Sequence, residues 1–391
     1  MKAEEIQQDQ HIQDFLKTRS IRESTAKQYI KRIAIFCRFI SKTPTQLIEE
    51  AEDEEDSNIR MKRRNIKKYL TNFLIHLRDN NKSENYISTM MTTIQSFYRE
   101  YDIELPKIRI KSHDKNNMVT TDDIVKREHI LKALDHCNLK YKAIILLMSS
   151  SGMGQSEIVN LTYKDFLNAI SEYYKPTKNE QFDIYTINQK LQENINDLIG
   201  TWQIKRYKTG MPYVTFSTSE CIQAILYYLI DRIIQNRPVK SLDDWLFETL
   251  GNKLSTNSMV AYFKGLNDRC EFGYVGAHRF FTSHKLRKYF GSTLIKNKMP
   301  ELTTHWLMGH KIDPVTEAYF KVDIHALKEQ YKTVIDDLSI ENVILREVTT
   351  EGYDKLLKKI EALEKRQILM EKLGSDSKFQ DKMSSMKKTE N

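Results

Sequence analysis

The feature that most constrains this chain is the three-and-four spacing of apolar side chains through its first hundred residues. Ala26, Tyr29, Ile30, Ile33, Phe36, Cys37 and Ile40 fall on one face of a helix running from Ser24 to about Ile40. Ser24 stands where a cap belongs, and Arg22, Lys27, Lys31, Arg32 and Arg38 lie off the apolar stripe. The same spacing predicts a second helix from about Asn58 to Leu77 with a strongly basic start, and a third from about Ser83 to Tyr101, before Pro106 interrupts the chain. Three amphipathic helices in sequence must bury their stripes against one another, so residues 1–105 read as a helical bundle.

At 391 residues the chain exceeds what one small core organises. Residues 106–119 (L-P-K-I-R-I-K-S-H-D-K-N-N-M through most of their length) are basic and aperiodic, the composition of a linker. A second unit is expected over 120–345, mainly helical, with an apolar helix at Tyr141 to Ser149 and another from Glu220 to about Gln235. Strand-like stretches are Asp183 to Thr186, Trp202 to Tyr207 and Tyr213 to Phe216, the last two joined by a turn at Lys208-Thr209-Gly210. Residues 346–391 are expected to hold a helix and a disordered tail. Tyr353, Leu356, Ile360, Leu363, Gln367 and Met370 fit a heptad seam that suits either a short coiled coil or a docking helix.

A net charge of +8 favours a polyanionic partner. Charge is also locally sorted. An acidic run, Glu49 to Asp56, reads as a loop facing away from any nucleic acid, and the basic residues that follow, Arg60, Lys62, Arg63, Arg64 and Lys67, suit a grip on phosphates. Lys107, Arg109 and Lys111 in the linker suit the same task. Cys37, Cys137, Cys221 and Cys270 form no C-x-x-C pair and have no histidine at zinc-ligand spacing, which points to buried thiols and no metal site. No apolar run reaches the roughly 18 residues of a membrane span, and no signal peptide is evident, so a cytoplasmic protein is expected.

Three clusters in the second half carry chemistry. His284 and Arg287 in S-H-K-L-R-K-Y-F share a helical face; the arginine offers a planar fork to two phosphate oxygens, and the histidine exchanges a proton near neutral pH. Leu307-Met308-Gly309-His310 places a second histidine after a helix-stopping glycine. Tyr319 lies nine residues beyond His310, in T-E-A-Y-F-K.

In this order and spacing the clusters resemble the tyrosine recombinase, or phage integrase, family, whose pattern is H-x-L-R with a basic-aromatic helix, then L-G-H, then a nucleophilic tyrosine. The likeness extends over roughly Thr120 to Gln330, and the preceding bundle is similar to the family's core-binding domain in size, position and charge. Integrases of archaeal viruses and plasmids look most similar. The resemblance implies a SAM-like helical core-binding domain, a mainly α catalytic domain with a small β-hairpin, and a C-terminal helix.

It also implies roles. Tyr319 would attack the scissile phosphate of double-stranded DNA and hold a 3′-phosphotyrosyl link, with no cofactor. Arg287 would neutralise the phosphorane, His284 would handle the tyrosine proton, and His310 would bond a nonbridging oxygen. Lys208 matches the hairpin lysine that protonates the leaving 5′ oxygen, with Lys205 a lesser candidate. Self-association on DNA, as a tetramer, would follow, with no membrane and no small-molecule substrate involved.

One box departs from the pattern. Where the family has T-G-L-R-x-S-E-L, this chain has S-G-M-G-Q-S-E-I from Ser151 to Ile158. Strict register puts Gly154 at the arginine position, and a one-residue shift puts Gln155 there. Glu157 keeps the acidic position. Arg206 or Arg279 could supply the missing cation; otherwise the enzyme is slow, or the chain is a noncatalytic DNA-binding protein.

Overall fold

The computed structural model describes residues 3–110, 124–195, 197–276, 278–312 and 323–340. Tyr319, Lys111 and the heptad segment 353–373 lie outside them. The chain divides into two compact units, Met1–Met118 and Val119–Asn391.

Among its described residues the first unit holds six α-helices: α1 (Ala3–Gln8), α2 (Gln10–Thr18), α3 (Glu23–Ile40), α4 (Pro44–Asp56), α5 (Asn65–Asp79) and α6 (Glu84–Glu100). The stripes read from the sequence form its core, in which Phe36 meets Phe73 edge-on at 5.2 Å and Phe15 meets Phe97 at 5.6 Å. Two expectations change here. The acidic run is no loop but the second half of α4, a helix started by Pro44 in its first turn and by a reciprocal Thr43–Gln46 capping box. Leu47, Ile48, Ala51 and Glu54 form its buried face.

The second change concerns α5, which begins at Asn65 rather than near Asn58. Asn58 has φ +53, and a single 3-10 turn, Met61–Arg63, precedes the helix. The acidic residues explain the late start. Glu54 accepts from the Asn65 N–H at 2.9–3.0 Å, a carboxylate at the positive end of α5. Arg64 bonds Glu55 at 2.6 Å, the Ile59 carbonyl at 2.7 Å and Glu104 at 3.3 Å. The acidic run therefore holds the start of α5 instead of turning away from it.

Beyond α6, Leu105, Ile108 and Ile110 pack on this core while Lys107 and Arg109 stay exposed. The first part of the expected linker is thus laid on the bundle as an extended segment.

The second unit is organised around α8 (Leu139–Ser151), which follows α7 (Arg127–Asp135). Every residue of α8 from Tyr141 to Ser151 is buried. A helix apolar all round belongs at the centre of a core. Next come α9 (Gln155–Ile158), α10 (Tyr163–Ile170) and α11 (Ile184–Gln192). The strand expected at Asp183 to Thr186 is instead the start of α11. Asp183 caps it through the N–H and hydroxyl of Thr186, and Ile184, Ile187 and Leu191 are buried at helical spacing. A short β-branched run fits either period, and the cap decides between them.

The expected hairpin is present as β1 (Gly200–Lys205) and β2 (Pro212–Ser217), antiparallel from Gly200 opposite Ser217 to Lys205 opposite Pro212. Trp202 pins it, fully buried, its indole donating to Ser217 Oγ at 2.9 Å. After α12 (Ser219–Ile234) come two very short antiparallel pairs, β3 (Glu248–Thr249) with β4 (Asn252–Lys253) and β5 (Tyr274–Val275) with β6 (His278–Arg279), separated by α13 (Thr256–Arg269). The last elements among the described residues are α14 (Ser283–Lys296), α15 (Glu301–Leu307), α16 (Ile324–Lys332) and α17 (Ile335–Leu338). Helices α12 and α14 flank α8, and β2 borders α15. Cys37, Cys221 and Cys270 are buried free thiols, as expected, while Cys137 is half-buried.

Candidate active site

The site forms where α8 stops. The last carbonyls of a helix have no partner within it, and at a buried end they must be satisfied from elsewhere. Here three consecutive ones are taken by three different elements. Tyr331 on α16 donates its hydroxyl to the Ser150 carbonyl at 2.9 Å, Thr215 on β2 donates to that of Ser151 at 2.7 Å, and Arg287 on α14 donates to that of Gly152. A guanidinium there also faces the negative end of the helix dipole. Gly152 itself, at φ +67, ends the helix in the left-handed region, and a β-carbon on it would strike the Phe290 ring.

Arg287 is 6% exposed and spends its other terminal nitrogen on the Met308 carbonyl. One buried side chain thereby joins the S-G-M-G-Q-S-E box, the H-K-L-R helix and the L-M-G-H segment. Burial, then the nearby charge of Arg206, lowers its pKa to about 10, which leaves it cationic at neutral pH. Arg206 Nη1 reaches the same Met308 carbonyl at 3.4 Å.

His310 follows two residues later, beyond Gly309. Gly309 has φ +59, and a β-carbon on it would stand 2.9 Å from the Tyr213 ring, so the sharp stop that turns His310 outward requires glycine. Burial and the charges of Arg287, His305 and Arg206 push His310 down to about 4. His284, exposed on the first turn of α14, is also lowered, by burial and by Lys288, Arg287 and Lys285. Both imidazoles are therefore neutral at neutral pH, one able to accept a proton and the other to donate a hydrogen bond.

The hairpin closes the arrangement. Arg206 N–H bonds the Met211 carbonyl at 2.7 Å, and Tyr207, Lys208 and Thr209 make the turn, with Gly210 at φ +75. Buried Glu157 ties this loop to the box. Its carboxylate accepts from Gly154 N–H at 2.9 Å and Tyr207 N–H at 3.2 Å, and stands 3.7 Å from Arg206 Nη1. Glu157, Arg206, Tyr213 and Trp306 line a cavity beside the hairpin.

Of the expected residues, Arg287, His310 and the Glu157 box converge, and His284 lies one turn from Arg287 on the same helix. Lys208 and Lys205 are both exposed, Lys208 on the hairpin turn and Lys205 at the end of β1. Gln155 is directed elsewhere, its amide donating to Ser283 Oγ at the start of α14. In the first unit Arg60, Lys62, Arg63 and Lys67 are exposed, whereas Arg64 is engaged as described. The Met308 carbonyl and the Tyr213 wall escaped the sequence reading, because a backbone oxygen and a strand tyrosine carry no motif. Among the described residues no group of histidine, cysteine, aspartate or glutamate side chains is arranged to hold a metal ion, and no helix is long and apolar enough to cross a membrane.

The profile of the phage integrase family matches residues 119–325. No curated protein matches the chain. Among solved structures, the chain is 14% identical to the Tn1549 transposon integrase in complex with transposon right end DNA, covering 83% of this chain and 98% of that one with a TM-score of 0.46. It is 15% identical to the XerH site-specific recombinase bound to palindromic difH substrate, covering 72% and 74% with a TM-score of 0.44. The XerA recombinase is 17% identical over 83% and 98%, with a TM-score of 0.34.

Proposed function

Since this chain belongs to the phage integrase family, matching it over more than half of its length, and is a tyrosine-type site-specific recombinase, we propose that Tyr319 is its nucleophile and that Arg287, His284, His310 and Lys208 serve it on DNA. The observation that carries the reading is the pair of hydrogen bonds that Arg287 donates to the Gly152 and Met308 carbonyls, which draws three motifs distant in sequence around one fixed cation.

In the proposed step the Tyr319 phenol oxygen attacks the scissile phosphorus as its proton passes to the neutral imidazole of His284. The bond from phosphorus to the 5′ oxygen breaks, and that oxygen takes a proton from the Lys208 ammonium. Arg287 and the His310 N–H hold the nonbridging oxygens, whose charge grows in the transition state. The 3′-phosphotyrosyl link keeps the energy of the broken ester, so a 5′ hydroxyl from a second strand reverses the chemistry and completes the exchange.

Exposed Arg60, Lys62, Arg63, Lys67, Lys107 and Arg109 suit phosphate contacts along duplex DNA, and the exchange of two duplexes calls for four protomers on the joined sites. We further propose that the chain acts on a mobile element of an archaeal virus or plasmid, a reading that rests on the H-K-L-R and L-M-G-H motifs of the sequence.

The test uses duplexes with a nick beside a randomised arm, so that cleavage releases a short fragment and traps the protein. Covalent adducts are read on denaturing gels and the selected sequences recovered. The expected result is an adduct with the native chain and none with Tyr319→Phe. An adduct that persists in Tyr319→Phe refutes the assignment of the nucleophile.

A further inference from the structure

We infer that Arg206 supplies the second guanidinium of the phosphate site, doing from the β1–β2 hairpin what the Ser151–Ile158 box does without its arginine. This rests on the recombinase reading and assigns a catalytic residue within it.

The positions the sequence offers for that cation are disposed of differently by the fold. Gly154 has no side chain, and a β-carbon there would meet Glu157 Oε2 at 2.6 Å. Gln155 carries no charge and is held by Ser283. Arg279 is bound at two nitrogens to both oxygens of Asp268, each at 2.8 Å, with its guanidinium over the Tyr274 ring. Arg206 alone of these stands at the Arg287 cluster.

Its contacts there are loose for an arginine. The Met308 carbonyl is at 3.4 Å and the Glu157 carboxylate at 3.7 Å, against roughly 2.7–2.9 Å for a charge-assisted bond. Its side chain is 18% exposed, so an incoming anion can reach it. Glu157 does not need Arg206 to satisfy its oxygens, since Gly154 and Tyr207 N–H groups already donate to them.

Charge points the same way. Arg206 and Arg287 converge on one neutral carbonyl with the buried Glu157 carboxylate beside them, and His310 nearby is held neutral. Two guanidiniums against one carboxylate leave one positive charge over. Like charges gathered in this way repel, and the arrangement is relieved when an anion with two free oxygens enters. A phosphodiester has that charge and that pair of oxygens. The same hairpin that carries Lys208 to the leaving group would thus bring the second cation, two residues earlier.

The experiment compares the native chain, Arg206→Gln and the double variant Glu157→Gln/Arg206→Gln, all full length, on a duplex recovered from the selection above. Each is assayed with an ordinary scissile phosphate and with a methylphosphonate, which has no negative charge. The double variant removes both members of the pair, so that no buried carboxylate is left without its counter-ion. Both variants should cleave the phosphate about 100-fold or more slowly than the native chain, and the deficit should shrink to within about tenfold on the methylphosphonate. Variants within about threefold of the native rate, or deficits equal on the two substrates, overturn the assignment of Arg206. Absence of adduct with the native chain instead sinks the recombinase reading, and this inference with it.

Discussion

Gly309 joins the Met308 carbonyl, on which two guanidiniums meet, to His310, and replacing it tests whether that corner is built as described. An alanine at φ +59 sits in the left-handed region at a cost of about 1–2 kcal/mol. Its β-carbon would also stand 2.9 Å from Cγ and Cδ1 of Tyr213, a side chain buried between β2 and the site, and forcing a methyl into such packing costs about 1–3 kcal/mol more. Gly309→Ala should therefore lose roughly 2–5 kcal/mol.

Gly210, on the hairpin turn, is the internal control. It has φ +75, but a methyl added there would find nothing within 4 Å, so Gly210→Ala should lose only the backbone share of about 1–2 kcal/mol. In a Tyr213→Ala background, which removes Cγ and everything beyond it, Gly309→Ala should likewise fall to that share, which isolates the contact as a coupling energy. Urea unfolding followed by tryptophan fluorescence measures all of these, because Trp202, Trp245 and Trp306 lie in the second unit. Equal losses for Gly309→Ala and Gly210→Ala, or a full loss that survives removal of the Tyr213 ring, would refute the close approach.

Three further predictions follow from charge. His310 is lowered to about 4 in the folded chain against about 6.5 for a free histidine, so between these values the unfolded chain binds more protons and stability falls as pH drops through that window. His310→Gln should flatten that part of the profile in urea unfolding between pH 4 and 7, and an unchanged slope would show that His310 is not held neutral. In the first unit, Lys62→Ala and Arg63→Ala should weaken DNA binding evenly across sequences and reduce the salt slope by about one each, without altering thermal unfolding by circular dichroism. Arg64→Ala should do the reverse, losing roughly 1–3 kcal/mol of stability because it leaves the Ile59 carbonyl without this donor and strips Glu55 of its cation, with only the Glu104 N–H still donating to that carboxylate. A large salt-slope change in Arg64→Ala would contradict its engagement within the bundle.

The sequence alone determined the helical bundle of the first unit, the central apolar helix of the second and the β1–β2 hairpin. Each follows from a period of side chains along a single element, and such periods are local. Where two local signals competed, the sequence misled. Asp183 to Thr186 has strand-forming residues but begins a helix, because Asp183 caps it and Ile187 and Leu191 lie in helical phase. Glu49 to Asp56 has the composition of a loop but lies in α4, where Thr43, Pro44 and Gln46 set the start and the acids hold the next helix in place.

Local periods also put His284 and Arg287 on one face. They could not say what Arg287 holds. That depends on α8 ending beside α14 and α15, so that unsatisfied carbonyls at residues 152 and 308 come within reach of one guanidinium. Nor could they choose between Arg206 and Arg279, equal as charges in a string of letters. Only the fold sets Asp268 against one and the Met308 carbonyl and Glu157 against the other, because the field at a side chain is made by groups far away along the chain and near in space.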